Sequence, residues 1–325
     1  MKQSIFIILA LLLFSGKVFS QIFVHDPVIA QQNDKYYLFC TGLGITIWSS
    51  PDMENWTNEG RVFEKTPQWV SETLDDFAGH MWAPDIIYNN GQYYLYYSVS
   101  AFGKNTSCIG VATNSTLNPE DPDYRWVDHG VVIQSVPDRD DWNAIDPAIA
   151  FDDDGQPWMA FGSFWNGLKL VKLNDDLITI AQPEEWHAIA KRPRGFNIEE
   201  ADAGDGAIEA PFIFKQNGYY YLFVSFDYCC RGAESNYKIM VGRAKNIEGP
   251  YFDKNGKSML NGGGSLVLKG NENWYGIGHN AAYTFNGKDY LVCHGYDAHD
   301  NARQKLIIRE INWDKDKWPV VDQTK

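Results

Sequence analysis

The chain has 325 residues with 44% hydrophobic content, which excludes a disordered protein and suits one large domain, or two small ones, with a sizeable core. Its formal charge is −14. Such a surface repels phosphate polymers and anionic membranes, so neither nucleic acid nor a lipid surface is an expected partner.

Residues 1 to 20 resemble a secretory signal: Lys2, an apolar run from Ile5 to Phe14, and a small-residue end at Val18-Phe19-Ser20 before Gln21. A buried first strand is the alternative. Ten apolar residues fall short of the roughly 20 that span a bilayer, so no membrane insertion is expected. No cysteine follows the run to take a lipid anchor. Export to a periplasm or the medium, with cleavage near Ser20/Gln21, is the simplest expectation. Losing Lys2 and Lys17 leaves 26 basic against 42 acidic residues, a net −16. No Pro/Gly/Ser linker divides the remainder, so residues 21 to 325 are treated as one domain.

Five segments then repeat one pattern: a short apolar stretch, a turn, and an aromatic strand. They are HDPVIAQQNDKYYLF from His25, WAPDIIYNNGQYYLY from Trp82, IDPAIAFDDDGQPWMAF from Ile145, EAPFIFKQNGYYYLF from Glu209 and HNAAYTFNGKDYLVC from His279. Successive aromatic strands are offset by 57, 64, 63 and 69 residues. The pairs Asp34-Lys35, Asn90-Gly91, Asp154-Gly155, Asn217-Gly218 and Asn286-Gly287 place turn chemistry between the first two strands of each unit, predicting five antiparallel hairpins. Third strands are expected at 45–49, 108–113, 168–173, 239–244 and 305–310. Fourth strands are expected at 57–63, 126–133 and 251–260, with weak signals in the other two units. No amphipathic period of helix length is present. Four-stranded units repeated radially make an all-β, five-bladed β-propeller. A sandwich or irregular barrel is the competing architecture, but it leaves the matched register of the five hairpins unexplained.

The five cysteines are odd in number and lack metal-type spacing. Most fall inside predicted strands as small buried hydrophobes, while Cys229 and Cys230 are adjacent and could bond to each other in an oxidising compartment. The run Asp152-Asp153-Asp154-Gly155 lacks the alternate-residue spacing of a calcium loop and suits a hairpin turn.

In a propeller the innermost strands line a central channel, so the residue opening each unit should face the axis at one rim. Those positions hold Asp26, Ala83, Asp146, Ala210 beside Glu209, and His279. One Asp-Pro alone is ordinary turn chemistry. Two acids at the equivalent position and a third one residue away, where other units carry Ala, form a candidate site. Crowded carboxyl groups push one another's pKa values apart, which supplies the protonated acid and ionised base that glycosidic cleavage uses. The longer side chain of Glu209, beside the apolar Ala210-Pro211, suits the acid, leaving Asp26 as base. Glu199, Glu200, Asp202 and Asp205 are competitors that fit a solvated loop. His279 could bind a metal or simply hydrogen-bond in the channel.

At these residues the sequence resembles glycoside hydrolase family forty-three, and within it the endo-1,5-α-L-arabinanases. The stretches HDPVIA, GHMWAPDI, AIDPAIAFDDDGQPWMAFGSFWNGLKL, AIEAPFIF, YYYLFVSFDYCCRG, YKIMVGRAKNIEGPYFDKNG and GHNAAYTF carry the resemblance across nearly the whole mature chain. It implies a five-bladed propeller and an inverting hydrolase of arabinan or arabino-oligosaccharides, acting as a monomer without an organic cofactor. It further implies Asp26 as general base, Glu209 as general acid and Asp146 as the residue that tunes the acid and aligns substrate. His25, Trp82, Phe102, Asn143 and Ser163 are implied to line sugar subsites, and His279 to hold an axial Ca2+ largely through water. An exo-acting arabinofuranosidase or β-xylosidase is the alternative on the same scaffold, and a non-catalytic sugar-binding propeller is a third reading.

Overall fold

A computed structural model describes residues 21–74, 76–195 and 204–324. Glu199, Glu200 and Asp202 therefore lie outside the described residues. The predicted signal segment does too. The described residues form five β-meanders arranged as propeller blades. Blade one comprises β1 (Val28–Gln32), β2 (Lys35–Cys40), β4 (Thr46–Ser50) and β5 (Thr57–Arg61), with β3 (Gly42–Leu43) crossing to the next blade. After a short helix, α1 (Gln68–Thr73), blade two follows as β6 (His80–Asn89), β7 (Gln92–Val99), β8 (Ser107–Asn114) and β9 (Val127–Ser135). Blade three is β10 (Ala148–Phe151), β11 (Pro157–Phe161), β12 (Leu168–Lys172) and β13 (Trp186–Ala190). Blade four is β14 (Ile208–Gln216), β15 (Tyr219–Phe226), β16 (Lys238–Ala244) and β17 (Ser265–Lys269). Blade five is β18 (Trp274–Phe285), β19 (Lys288–Asp297), β20 (Gln304–Trp313) and β21 (Pro319–Val320). Among the described residues no helix is long and apolar enough to cross a membrane.

Local chemistry sets the hairpins. Asn90-Gly91, Asn217-Gly218 and Asn286-Gly287 all have positive φ at both positions, the tight-turn geometry that matches strand twist. In blade one the turn falls on Asn33-Asp34, because Asn33 takes the left-handed conformation and Gln32 pairs with Lys35. That moves it one residue from the expected Asp34-Lys35. The Asp152 carboxylate instead organises the third turn, accepting N–H groups from Asp154 and Gln156 and the indole N–H of Trp158.

The second strand of every blade is buried on both faces, and alternate residues serve the two neighbouring seams. In β15, Tyr221 and Phe223 pack toward blade five, while Tyr220, Leu222 and Val224 pack toward blade three. In β11, Trp158 and Ala160 face blade four, and Met159 and Phe161 face blade two. This explains why these strands are continuously apolar in the sequence rather than alternating.

One fourth strand differs from expectation. Residues 251–260 form a small looped bridge, with Phe252 paired to Arg243 and Ser258, and the outer strand of blade four is Ser265–Lys269. The Asp253 carboxylate accepts N–H groups from Asn255, Lys257 and Gly264, which folds the segment back on itself and leaves buried Val267 and Leu268 to complete the sheet. The ring closes by a contact between chain ends: Phe23 bridges Lys305 of β20, and the Leu306 N–H donates to the Ile22 carbonyl.

Phe223 is fully buried in the seam between blades four and five. Phe223→Ala should cost about 3–5 kcal/mol in urea unfolding. A loss below about 1 kcal/mol would show that the seam does not carry the packing assigned to it.

Candidate active site

The five opening residues share one backbone conformation: Asp26, Ala83, Asp146, Ala210 and His279 all have φ between 44° and 59°. A left-handed non-glycine residue is uncommon, and five at one register position mark a constraint of the ring. In blades two, four and five the strand starts earlier than expected, and this residue sits at a register irregularity inside it. Such a bulge re-aims a side chain out of the sheet.

Each opening N–H is also tied to the preceding blade. Ala83 donates to Thr41 Oγ1 at 2.8 Å, Asp146 to Ser98 Oγ at 3.0 Å, His279 to Ser225 Oγ at 2.8 Å and Asp26 to His294 Nδ1 at 3.2 Å. All four acceptors stand three residues beyond the central residue of the aromatic strand: Leu38, Leu95, Leu222 and Leu291. The equivalent position in blade three is Gly162, which has no side chain to offer. There Ala210 donates instead to Asp146 Oδ2 at 3.1 Å. Gly162 has φ +124°, and a Cβ on it would press on the Gly167 carbonyl at 3.1 Å. The missing acceptor thus fixes one oxygen of Asp146 beside Glu209.

The side chains converge on a cavity of about 550 Å³, lined by Asp26, Asp146, Glu209 and His279 and by all five predicted subsite residues, His25, Trp82, Phe102, Asn143 and Ser163. Phe102 is 83% exposed, so its ring is not core packing. Asn143 is buried, and its Oδ1 accepts from Ser107 Oγ at 2.6 Å. Ser163 Oγ donates to Glu209 Oε2 at 2.6 Å, so its hydroxyl is committed to that carboxyl group.

Asp26 is buried, with Oδ1 2.8 Å from His25 Nδ1 and 3.1 Å from His279 Nδ1, and Oδ2 accepting from Thr41 Oγ1 at 2.5 Å. Because Thr41 already accepts the Ala83 N–H, its own hydrogen is directed to Asp26. His294 Nδ1, 3.6 Å from Oδ1, makes no ion pair, since its lone pair takes the Asp26 N–H. Burial alone raises the Asp26 pKa, but His25 and His279 outweigh it and hold the carboxyl far below the usual carboxylate range.

Glu209 and Asp146 move the other way. Burial raises Glu209, which hydrogen bonds from Ser163 and Tyr237 oppose and the nearby Asp26 charge reinforces. Burial also raises Asp146 well above its ordinary value, with Glu209 and Asp26 adding repulsion. One cavity therefore presents a carboxylate that stays ionised and two carboxyl groups that favour a proton.

A sequence profile described as Glycosyl hydrolases family 43 matches residues 15–319. The chain belongs to glycosyl hydrolases family 43. Over 303 residues it is 58% identical to an extracellular exo-alpha-(1->5)-L-arabinofuranosidase, ArbA, of Cellvibrio japonicus, covering 93% of this chain and 87% of that one. Over 300 residues it is 45% identical to an extracellular endo-alpha-(1->5)-L-arabinanase of Bacillus subtilis, covering 91% and 87%. The structure of a Cellvibrio cellulosa alpha-L-arabinanase complexed with arabinohexaose aligns with a TM-score of 0.90 at 57% identity, covering 93% of this chain and 96% of that one.

In this family 43 hydrolase the predicted opening residues do come together, but three partners were not singled out from sequence: Thr41, Tyr237 and His294. Thr41 and His294 were accessible through the same register as Ser98 and Ser225. Tyr237 gives no such signal; it reaches Glu209 Oε1 because Gly278 makes room, a Cβ there lying 2.1 Å from the Tyr237 ring.

For a cation at His279, the donors are few. Calcium takes six to eight oxygen ligands. His279 offers one imidazole, whose pKa burial lowers against the pull of Asp26, and its Nδ1 is engaged by that carboxylate. These residues do not form a closed calcium cage, and an ion held by His279 would have to be carried mainly by water. His279 belongs to neither of the described groups, His25–Asp26–His294 and His25–Cys229–Cys230, that bring three possible ligand atoms within 4.8 Å.

Asp146→Asn keeps an oxygen for the Ala210 N–H and removes a buried ionisable group. Because the folded pKa of Asp146 lies above its unfolded value, ionisation costs stability only as pH rises past that unfolded value. The melting temperature of Asp146→Asn should therefore gain on the parent progressively from about pH 4 to pH 7. A gain that is constant across that range would refute the electrostatic origin.

Proposed function

We propose that this family 43 hydrolase is exported and cleaves α-1,5-linked L-arabinan by a single displacement with inversion. The observation that carries the reading is the contrast in surroundings of two carboxyl groups in one cavity: Asp26 faces His25 and His279, which hold its pKa down, and Glu209 is buried, which pushes its pKa up. Asp26 then takes a proton from the attacking water while Glu209 gives its proton to the departing sugar oxygen. Asp146, whose proton affinity Glu209 raises in turn, tunes the acid as its buried neighbour and holds the rim geometry through Ala210. Trp82 and Phe102 offer faces to furanose rings. The names of the relatives, both extracellular and both acting on alpha-(1->5)-L-arabino linkages, support the export and the substrate.

Internal cleavage follows from the narrow motifs shared with endo-arabinanases. Release from chain ends is the second reading, favoured by the higher identity to the exo-acting relative, 58% against 45%. On linear arabinan, early oligosaccharides of mixed length support internal cleavage, and a single short product from the start supports the second reading. Xylan cleavage without arabinan cleavage would overturn the substrate. Glu209→Ala should lower turnover of arabinan by about 10²- to 10⁴-fold, and full activity in that variant would remove Glu209 as the acid.

We also propose a hydrated cation at His279, which would supply positive charge near the channel axis. Exhaustive chelation should lower the melting temperature and restore it on adding calcium; an unchanged melting temperature would dismiss the ion.

A further inference from the structure

The segment after β15 brings an unused chemistry to the cavity wall. Cys229 and Cys230 are joined by a disulfide, and both line the cavity. Cys230 Sγ lies 3.7 Å from His25 Nε2, and the two sulfurs and a His25 ring nitrogen all stand within 4.8 Å of one another. Tyr296 Oη joins the group, 3.0 Å from His25 Nε2, and accepts the Cys230 N–H at 2.7 Å.

These contacts orient the His25 ring. Nδ1 faces Asp26 Oδ1 at 2.8 Å, so Nε2 is the nitrogen on the side of the sulfurs, where a metal would bind after displacing any proton there. A carboxylate behind an imidazole whose other nitrogen faces two cysteines is the arrangement that orients metal-binding histidines. Two thiolates and one imidazole suit a thiophilic divalent cation, with the fourth tetrahedral position left for water or the Tyr296 hydroxyl. Ligand atoms that share such an ion stand about 3.3–3.8 Å apart, a spacing open to the two sulfurs once their bond is broken.

We propose that reduction of the Cys229–Cys230 disulfide opens a Cys2His site for a zinc-like cation, and that filling this site inhibits the enzyme. A phosphine reductant gives two electrons to the S–S bond and, with water, leaves two thiols and a phosphine oxide. The cation then displaces the two thiol protons and forms two S–metal bonds and one N–metal bond. Inhibition follows because the ion takes His25 Nε2 and, with its remaining ligand, fills the cavity wall formed by His25, Cys229 and Cys230, where a sugar ring would sit. The binding half stands apart from the proposed function; the inhibitory half rests on the reading of this cavity as the arabinan site.

The mature protein is titrated at about pH 8 with cobalt(II), before and after reduction by a phosphine. A thiolate-to-cobalt charge-transfer band should appear only after reduction, saturate at one equivalent and be displaced by zinc. His25→Ala should weaken cobalt binding about tenfold or more, and Cys230→Ser should abolish the band. Activity on arabinan should be lost on adding one equivalent of zinc to the reduced protein and retained in the unreduced protein. No band after reduction, or an undiminished band in either variant, overturns the site. A band with full activity overturns the inhibition. Untreated protein inactive on arabinan would instead count against the proposed function and leave the cobalt result standing.

Discussion

The bond between an opening N–H and a side chain of the preceding blade is the constraint on which the rest of this molecule depends. It fixes a left-handed residue at the same height in every blade, and so turns five separate hairpins into one ring with one rim. Four blades supply the acceptor, Ser98, Ser225 and His294 from the second strand and Thr41 from the residue just after it. The fifth, at Gly162, supplies none, and the ring is completed by Asp146. A structural tie and a member of the carboxyl set are thus the same atom, which couples the integrity of the rim to the electrostatics of the cavity.

Those electrostatics follow from unequal company in a shared low-dielectric space. All three carboxyl groups lose water, and burial alone would raise each of them. Asp26 escapes because two imidazoles and a threonine hydroxyl face it. Glu209 receives two hydroxyl donors, and Asp146 receives a single backbone N–H. The sorting of roles is therefore written in the neighbours. A second tier of inter-blade ties lies below, where the Ile149 N–H donates to the buried Asp85, whose pKa burial pushes up to about 7.

Much of this was legible in the sequence because it rests on local rules. The Asn-Gly turns, the doubly apolar second strands and the opening residues each carry a short-range signal, and their repetition fixed architecture and rim together. The outer strands were harder. They face solvent on one side and are short, so a stretch such as 251–260 can show strand-like residues while Asp253 folds it into a loop, and Ser265–Lys269 completes the sheet instead. Tyr237 was invisible for another reason. Its role depends on the absence of a side chain at Gly278, across a blade boundary, and no periodicity records an absence. The cysteine pair departs from the buried-hydrophobe expectation that holds for Cys40, Cys108 and Cys293, because its strand ends at Phe226 and the pair lies in the following loop.

The contact of Ile22 and Phe23 with β20 gives the propeller a different thermodynamic character from an open repeat array. In a linear stack the terminal units have one neighbour and can fray independently. Here the blade built from the last strands is bound to the first residues of the described chain, so every blade has two neighbours and none is terminal. Opening any one seam alone must strain the other four, which makes partial unfolding costly and joins the five blades into a single cooperative unit.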